Sequence, residues 1–325
     1  MTRHVMTRRA FVATTAGSAL AASFARSSAL GGDIPDLVVA HGPDGERNAR
    51  AALEALGGMS RYVRAGQVVG LLPNAQGDHP GCSTDLGVLK AAISLCKAAG
   101  ASEVRCLSWL PQQVWDHPRA RYFRGPLEAA GAKLVLIPAG PPPAKQGEAP
   151  PPPPPEVAAQ WRSLDVPKGV ALKQVRVMKA LYECDVLISM PIFKDHVGSR
   201  FTGVLKNYMG ASHPGDNQSF HPSFEGADLE HMEQCIADLN TVVRKADLCI
   251  VSAMECLKTN GPFGPGEVLK PGKVVAGVDP VALDCFGAGL LGLDGSQVGM
   301  VRKASRHGLG EIDLAKVKIK TIDVA

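Results

Sequence analysis

The chain has 325 residues, of which 45% are hydrophobic, and a formal net charge of +4. Arg3, Arg8, Arg9 and Arg26 precede the first acid, Asp33, so removing residues 1–29 and their four charges leaves a neutral remainder. That remainder can bury a sizeable core, and its neutrality excludes a broad basic field for nucleic acid or an anionic membrane.

The amino terminus carries "TRRAFVATTAGSALAA", with Arg8 and Arg9 paired ahead of a short run of small apolar residues. The run is about a dozen residues long, too short to cross a bilayer. Ala19-Leu20-Ala21 and Ser27-Ser28-Ala29 are two small-residue cleavage patterns. Residues 1–29 therefore read as a twin-arginine export signal and are set aside from the fold. This reading predicts passage through the twin-arginine translocase, a periplasmic location, and no transmembrane span after cleavage. An uncleaved anchor is the alternative.

Strand and helix patterns alternate from residue 36 onward. "DLVVAHG" (36–42) reads as a strand and "ERNARAALEALGG" (46–58) as a helix with a glycine stop. "QVVGLLP" (67–73) is a buried strand ended by Pro73. The helix "TDLGVLKAAISLCKAAG" (84–100) takes Ser83 or Thr84 as N-cap and Gly100 as C-cap. "EVRCLSW" (103–109) is the next strand. "ARYFRGPLEAAG" (120–131) predicts a helix broken at Gly125-Pro126, before the strand "KLVLIP" (133–138). Residues 139–160 are proline-rich, favour extended polyproline II, and read as a surface insertion or semi-rigid linker.

The alternation then resumes. "KQVRVMKAL" (173–181) leads into the strand "DVLISMP" (185–191). "FTGVLKNYMG" (201–210) is a short helix and residues 228–246 form a long amphipathic one. "DLCIVSAM" (247–254), "VVAGV" (274–278) and "KVKIKTIDV" (316–324) are strands. Asp279-Pro280 opens a helix as N-cap and first residue. The expected fold is one α/β domain over residues 30–325, a mainly parallel sheet with helices on both faces. Sites in such sheets form at the carboxyl ends of strands.

None of the eight cysteines forms a C-x-x-C pair, so no zinc-ribbon or iron–sulfur motif is indicated. Cys96, Cys106, Cys249 and Cys285 lie in apolar patterns and read as small buried hydrophobes. Export permits disulfides, but twin-arginine substrates fold before export, so few are expected.

The chemistry concentrates in "PIFKDHVGSRFTGVLKNYMGASH" (191–213), directly after a buried strand. Lys194 and Lys206 are point cations, and Arg200 can grip a carboxylate or phosphate with two parallel bonds. Thr202 and the backbone near it open a helix whose N-terminus favours an anion. Asn207 can orient a ligand beside Lys206. His196 is suited to proton transfer, and His213 and His221 are the candidate ligands of a metal ion, across a weak H-x7-H spacing. Two further loops are candidates. "PNAQGDHPGCSTD" (73–85) offers Asn74, Ser83 and Thr84, but it matches neither the dinucleotide fingerprint nor a P-loop. "NGPFGPG" (260–266) pairs with "GVDPVALD" (277–284), which adds Asp279 and Asp284, the former also reading as a helix cap.

The motifs "STDLGVLKAAISLCKAAGA", "DVLISMPIFKDHVGSRFTGVLKNYMG", "NGPFGPG", "GVDPVALDCFGAGLLG" and "RHGLG" occur in an order that resembles the domain of unknown function 362 family. The family's P-x-x-K-x-H and T-G-x-x-K-N signature is similar to Pro191, Lys194, His196, Thr202, Gly203, Lys206 and Asn207. Its G-x-D-P-x-A-x-D pattern is similar to Gly277, Asp279, Pro280, Ala282 and Asp284. Family members commonly carry lysine where this chain has Leu72, and some add a two-cluster ferredoxin module that this chain lacks. The resemblance implies an α/β fold and a shared site, and names no reaction.

Together these features predict an exported enzyme acting on a small anionic substrate, with a metal or redox partner left open. In this reading Lys194, Arg200 and Lys206 hold anionic groups, and His196 is the acid or base. The rival is a non-catalytic periplasmic protein that binds an anion or metal with the same residues. The sequence further predicts that Lys194, His196, Lys206 and Asn207 meet the 81–84 and 260–266 loops in one cleft, because all three segments follow strands.

Overall fold

The buried run at 186–190, apolar but for Ser189, is explained by where it lies, at the centre of an eight-stranded sheet covered on both faces. The computed structural model describes residues 34–111, 118–137, 152–221 and 229–325. Within it, Pro35–Ala325 forms one compact unit. The export signal and most of the proline-rich stretch lie outside the described residues.

In chain order the elements begin with β1 (Leu37–His41), α1 (Gly45–Ala55), β2 (Val68–Pro73), α2 (Leu86–Ala98), β3 (Glu103–Pro111), α3 (Pro118–Ala129) and β4 (Lys133–Ile137). A turn α4 (Pro155–Ala158) precedes the strands β5 (Trp161–Asp165), β6 (Gln174–Met178) and β7 (Val186–Met190). Next come the one-turn α5 (Val204–Asn207), α6 (Pro214–Phe220), α7 (Leu229–Asn240), β8 (Leu248–Ala253), β9 (Cys256–Leu257) and β10 (Val268–Leu269). The chain closes with β11 (Lys273–Gly277), α8 (Pro280–Leu290), α9 (Gly299–Arg306) and β12 (Ile319–Asp323).

The main sheet has the order β12-β1-β11-β8-β7-β2-β3-β4. Its pairs are parallel except that β11 runs antiparallel to both β1 and β8. β5 with β6, and β9 with β10, form two small antiparallel ladders. One face of the sheet packs Val38, Leu71, Ile188 and Ile250 in a core with Leu53, Leu89 and Phe123 of α1, α2 and α3. The other packs Leu72, Leu187 and Val251 in a core with Leu205, Ile236, Leu283 and Val301 of α5, α7, α8 and α9. Helices on both faces of a mainly parallel sheet match the expected α/β fold.

Several local expectations are corrected. The N-cap of α2 is Asp85, whose carboxylate accepts from Val88 N at 3.1 Å, not Ser83 or Thr84. α3 continues through Pro126 without a break. α7 ends at Asn240, whose side-chain amide donates to Ile236 O and to Leu205 O instead of continuing the helix. Val157 within α4 is buried, and strand β5 begins at Trp161. All eight cysteines are buried.

Candidate active site

The strands β8, β7 and β2 are parallel neighbours, so the segments that leave their carboxyl ends emerge together. From β2 comes the loop 74–85, from β7 the segment 191–203, and from β8 the ladder β9–β10 that carries residues 258–267. They enclose a cavity of about 700 Å³, within the range of small-molecule sites. His196, Thr202, Lys206, Asn207, Asn74 and Gln76 line it, with Phe263 and Val197 among the more exposed lining residues.

The segment after β7 reverses on itself. Phe193 N still donates to Ser252 O of β8, Ser252 N donates to Pro191 O, and Lys194 then pairs antiparallel with Thr202 across a tight loop. That reversal places Lys194, His196 and Lys206 close enough for their charges to act on one another. Lys194 is fully buried. Its Nζ donates to Gln76 Oε1 at 2.8 Å, Cys82 O at 2.6 Å, Asn74 Oδ1 at 3.3 Å and Pro262 O at 3.2 Å. One side chain thus ties the β2 loop to the 260–266 loop, and every acceptor is a neutral oxygen.

Lys206 differs. It lines the cavity at 7% exposure and, among the described residues, forms no ion pair or side-chain hydrogen bond. Burial pulls its proton affinity down from 10.5 to about 7. Lys194 is likewise drawn down to about 7, by burial first, with Lys206 adding to the effect. Thr202 Oγ1 is buried and without a partner among the described residues, beside the same cavity. Asn207 spends its amide N–H groups on Leu72 O at 2.8 Å and Ser189 Oγ at 3.0 Å, which fixes the side chain at the cavity wall.

His196 is held far below the usual imidazole range, by burial first and then by Lys206, His221 and Lys194. Its Nδ1 accepts from Gly198 N at 3.0 Å, so the neutral ring carries its proton on Nε2. The ring lies 5.9 Å from that of His221, another cavity residue, whose Nδ1 meets Asn217 O at 2.9 Å. No Asp or Glu among the described residues lines the cavity.

Other sequence candidates have structural roles. Asp284 is buried under α5, where its carboxylate accepts from Val204 N at 2.6 Å and Leu205 N at 2.9 Å. It occupies the helix N-terminus that the sequence offered to a ligand. Burial raises its proton affinity to about 7, against the two backbone donors. Gly203 is required there, since a Cβ would come within 2.2 Å of Asp284 Oδ1. Asp279 caps α8 through Val281 N and Ala282 N and also accepts from Glu311 N, so it stays outside the cavity.

Ser83 Oγ bonds to Gly77 O and to the backbone N–H groups of Gln76 and Gly77, while Thr84 Oγ1 donates to Met190 O at 2.6 Å. Both hydroxyls fasten the loop and leave nothing for an anion. Arg200 is exposed at a left-handed turn, φ 57°, and does not line the cavity. His213 caps α6, accepting from Gly215 N at 3.1 Å, and packs edge-on to Trp161, so it does not join His221 as a ligand pair. Among the described residues, no group of three or more His, Cys, Asp or Glu is placed to hold a metal. Leu72, where the family resemblance implies lysine, is a core residue whose carbonyl holds Asn207.

Sequence reasoning missed Gln76, the acceptor 2.8 Å from Lys194 Nζ, and the cavity residues Asn217 and Gln218. Only proximity to "PNAQG" pointed to the first. In the loop "NGPFGPG", the first glycine owes its place to a close backbone approach, since a Cβ on Gly261 would fall within 1.8 Å of Asp195 O. The Gly261 N–H donates to Asp195 Oδ2 at 2.8 Å, locking this loop to the segment after β7.

Fold and cavity define an α/β protein with a site of buried amines at the carboxyl ends of three parallel strands. Residues 156–289 match the family described as Domain of unknown function (DUF362). The matched segment contains Lys194, His196, Lys206 and Asn207, while the β2 loop lies before it. A thylakoid-associated protein of Synechocystis sp. is 26% identical over 274 residues, 80% of this chain and 74% of its own length. Among solved structures, the lactate racemase apoprotein of Thermoanaerobacterium thermosaccharolyticum has a TM-score of 0.43 at 10% identity. A protein of Thermotoga maritima has a TM-score of 0.44 at 12% identity. Those alignments cover 83% and 82% of this chain, but only 56% and 60% of the two solved chains.

Proposed function

We propose that the cavity binds a small anionic substrate and that His196 exchanges a proton with it, making the protein an enzyme. One observation carries the reading: two lysines are buried at the cavity without a carboxylate partner among the described residues, and one of them lines it. Burying a cation-forming group without a counter-charge is expensive. A bound anion supplies the missing charge. His196, neutral and with its proton on Nε2, is then the group that presents a proton to the ligand, and Asn207 is rigid enough to orient it.

Isothermal calorimetry with sulfate and with pyruvate tests the binding. Saturable binding of at least one anion is expected, with at least a tenfold loss in Lys206→Ala. Absence of saturable binding by both, or equal binding by the variant, overturns it. A substrate screen on wild type and His196→Ala tests catalysis, and an enzyme loses rate more than affinity in the variant.

The export reading extends the proposal: Arg8, Arg9 and the small-residue run after them support delivery by the twin-arginine translocase, which would place this chemistry in the periplasm. No helix among the described residues is long and apolar enough to cross a membrane.

A further inference from the structure

We propose that Lys206 is a carbonyl nucleophile and that the substrate class is a 2-oxo acid, which the site holds as an imine. The inference rests on the anion reading above and adds to it a division of labour between the two lysines.

The hydrogen-bond geometry assigns their protonation. Lys194 Nζ faces four oxygen acceptors. An ammonium, with three N–H bonds, suits that cage better than an amine with two. Lys206 Nζ has no acceptor among the described residues, so nothing there repays its desolvation as a cation. When two nearby buried amines share a proton, it belongs on the one with acceptors. Lys194 therefore provides a fixed positive charge beneath the cavity, and Lys206 presents an amine lone pair to it. Burial alone lowers the affinity of Lys206 for a proton, in the same direction.

An anion site needs only a cation, and here a second amine is kept uncharged beside it. A 2-oxo acid uses both. Its carboxylate is drawn by Lys194 and its electrophilic carbon sits next to that carboxylate. The remaining lining suits the step. His196 carries its proton on Nε2 and can donate a hydrogen bond to the carbonyl oxygen as charge develops there. Thr202 Oγ1, buried and unpartnered among the described residues, belongs to a residue that lines the same cavity as Lys206.

The step balances without an oxidant or reductant. The Nζ lone pair forms the C–N bond as the carbonyl π pair moves onto oxygen. One Nζ proton passes to that oxygen, giving a carbinolamine. The C–O bond then breaks, and the oxygen leaves as water with the second Nζ proton. The nitrogen lone pair closes the C=N bond of a neutral imine.

The full chain is incubated with pyruvate, and separately with 2-oxoglutarate, at pH 7.5. Borohydride, a hydride donor, reduces any imine to a stable amine. Peptide mass mapping then locates the adduct. The expected result with at least one acid is a reduced adduct on Lys206, at least tenfold above that on any exposed lysine and absent from Lys206→Met. Calorimetry with the same acids separates the two levels of the argument. Saturable binding without a Lys206 adduct overturns the imine and leaves the anion reading standing. Neither binding nor adduct overturns the imine, and overturns both readings when sulfate also fails to bind. An adduct spread evenly over surface lysines, or placed on Lys194, overturns the division of labour. Because the mapping is read on wild type, the result holds even where the variant folds poorly.

Discussion

Replacing Lys206 with methionine should stabilise the protein, and the gain should vanish at high pH. The lysine is buried, and burial lowers its proton affinity from 10.5 to about 7. Unfolded, it titrates near its ordinary value. Between these limits the unfolded chain binds more protons than the folded one, so wild-type stability rises with pH across the window. Below pH 7 the full penalty applies. At about 1.4 kcal/mol per pH unit, the gap corresponds to at most ~5 kcal/mol. Relaxation and water in the cavity reduce this, so a gain of ~2–4 kcal/mol is expected for Lys206→Met at pH 7. Methionine matches the length of the side chain and has no group to desolvate. Urea denaturation at pH 6, 7, 8, 9 and 10 reads the difference directly. It should be largest at pH 6–7 and shrink toward zero at pH 10. A destabilised variant at pH 7, or a gain that does not change with pH, would refute the argument, because Lys206 would then have a compensating partner. Such a gain belongs to the general exchange of stability for function at active sites.

Three further outcomes are expected. Asp284→Ala should cost roughly 2–4 kcal/mol in urea unfolding, since two buried N–H groups of α5 lose their acceptor; Gly203→Ala should also destabilise, and neutrality of both would mean that α5 does not depend on this cap. Replacing residues 141–151 with a short Gly-Ser linker should lower the melting temperature by less than ~5 °C, because loop-closure cost changes slowly with length; a larger fall would show that the prolines pack on the body. Changing Arg8 and Arg9 together to lysine should leave precursor in the cytoplasm, as seen by fractionation and immunoblotting, and unchanged periplasmic delivery would remove the twin-arginine reading.

The strands and most helices are legible because their signals are local. "DVLISMP" is apolar at nearly every position, which only a strand covered on both faces requires, and β7 is such a strand. Asp279-Pro280 marks a helix start by its own chemistry, and α8 begins there. The topological argument reaches part of the site: β2, β7 and β8 are parallel neighbours, and His196, Lys206, Asn207 and residues 260–264 line one cavity, but Lys194 and residues 81–84 are not among its lining. The errors arise where local chemistry is overridden by the surrounding fold. Pro126 has the chemistry of a helix break, yet α3 continues through it.

The sequence by itself determined the alternation of elements, the α/β class and the segment that carries the cations, since hydrophobic period, caps and turn residues act within a few positions. It could not assign roles within that segment. Lys194 and Lys206 are the same residue type after the same strand, but one Nζ meets four oxygens from residues 74, 76, 82 and 262, and the other meets none among the described residues. Asp284 has the chemistry of a ligand group, but its distances to Val204 N and Leu205 N make it a helix cap. Arg200 has the chemistry of an anion clamp, but the turn at positive φ leaves it in solvent. Charge and hydrogen-bonding capacity are written in each residue, but whether they are spent on the protein or left for a ligand depends on contacts across dozens to more than a hundred positions, and only the tertiary structure sets those.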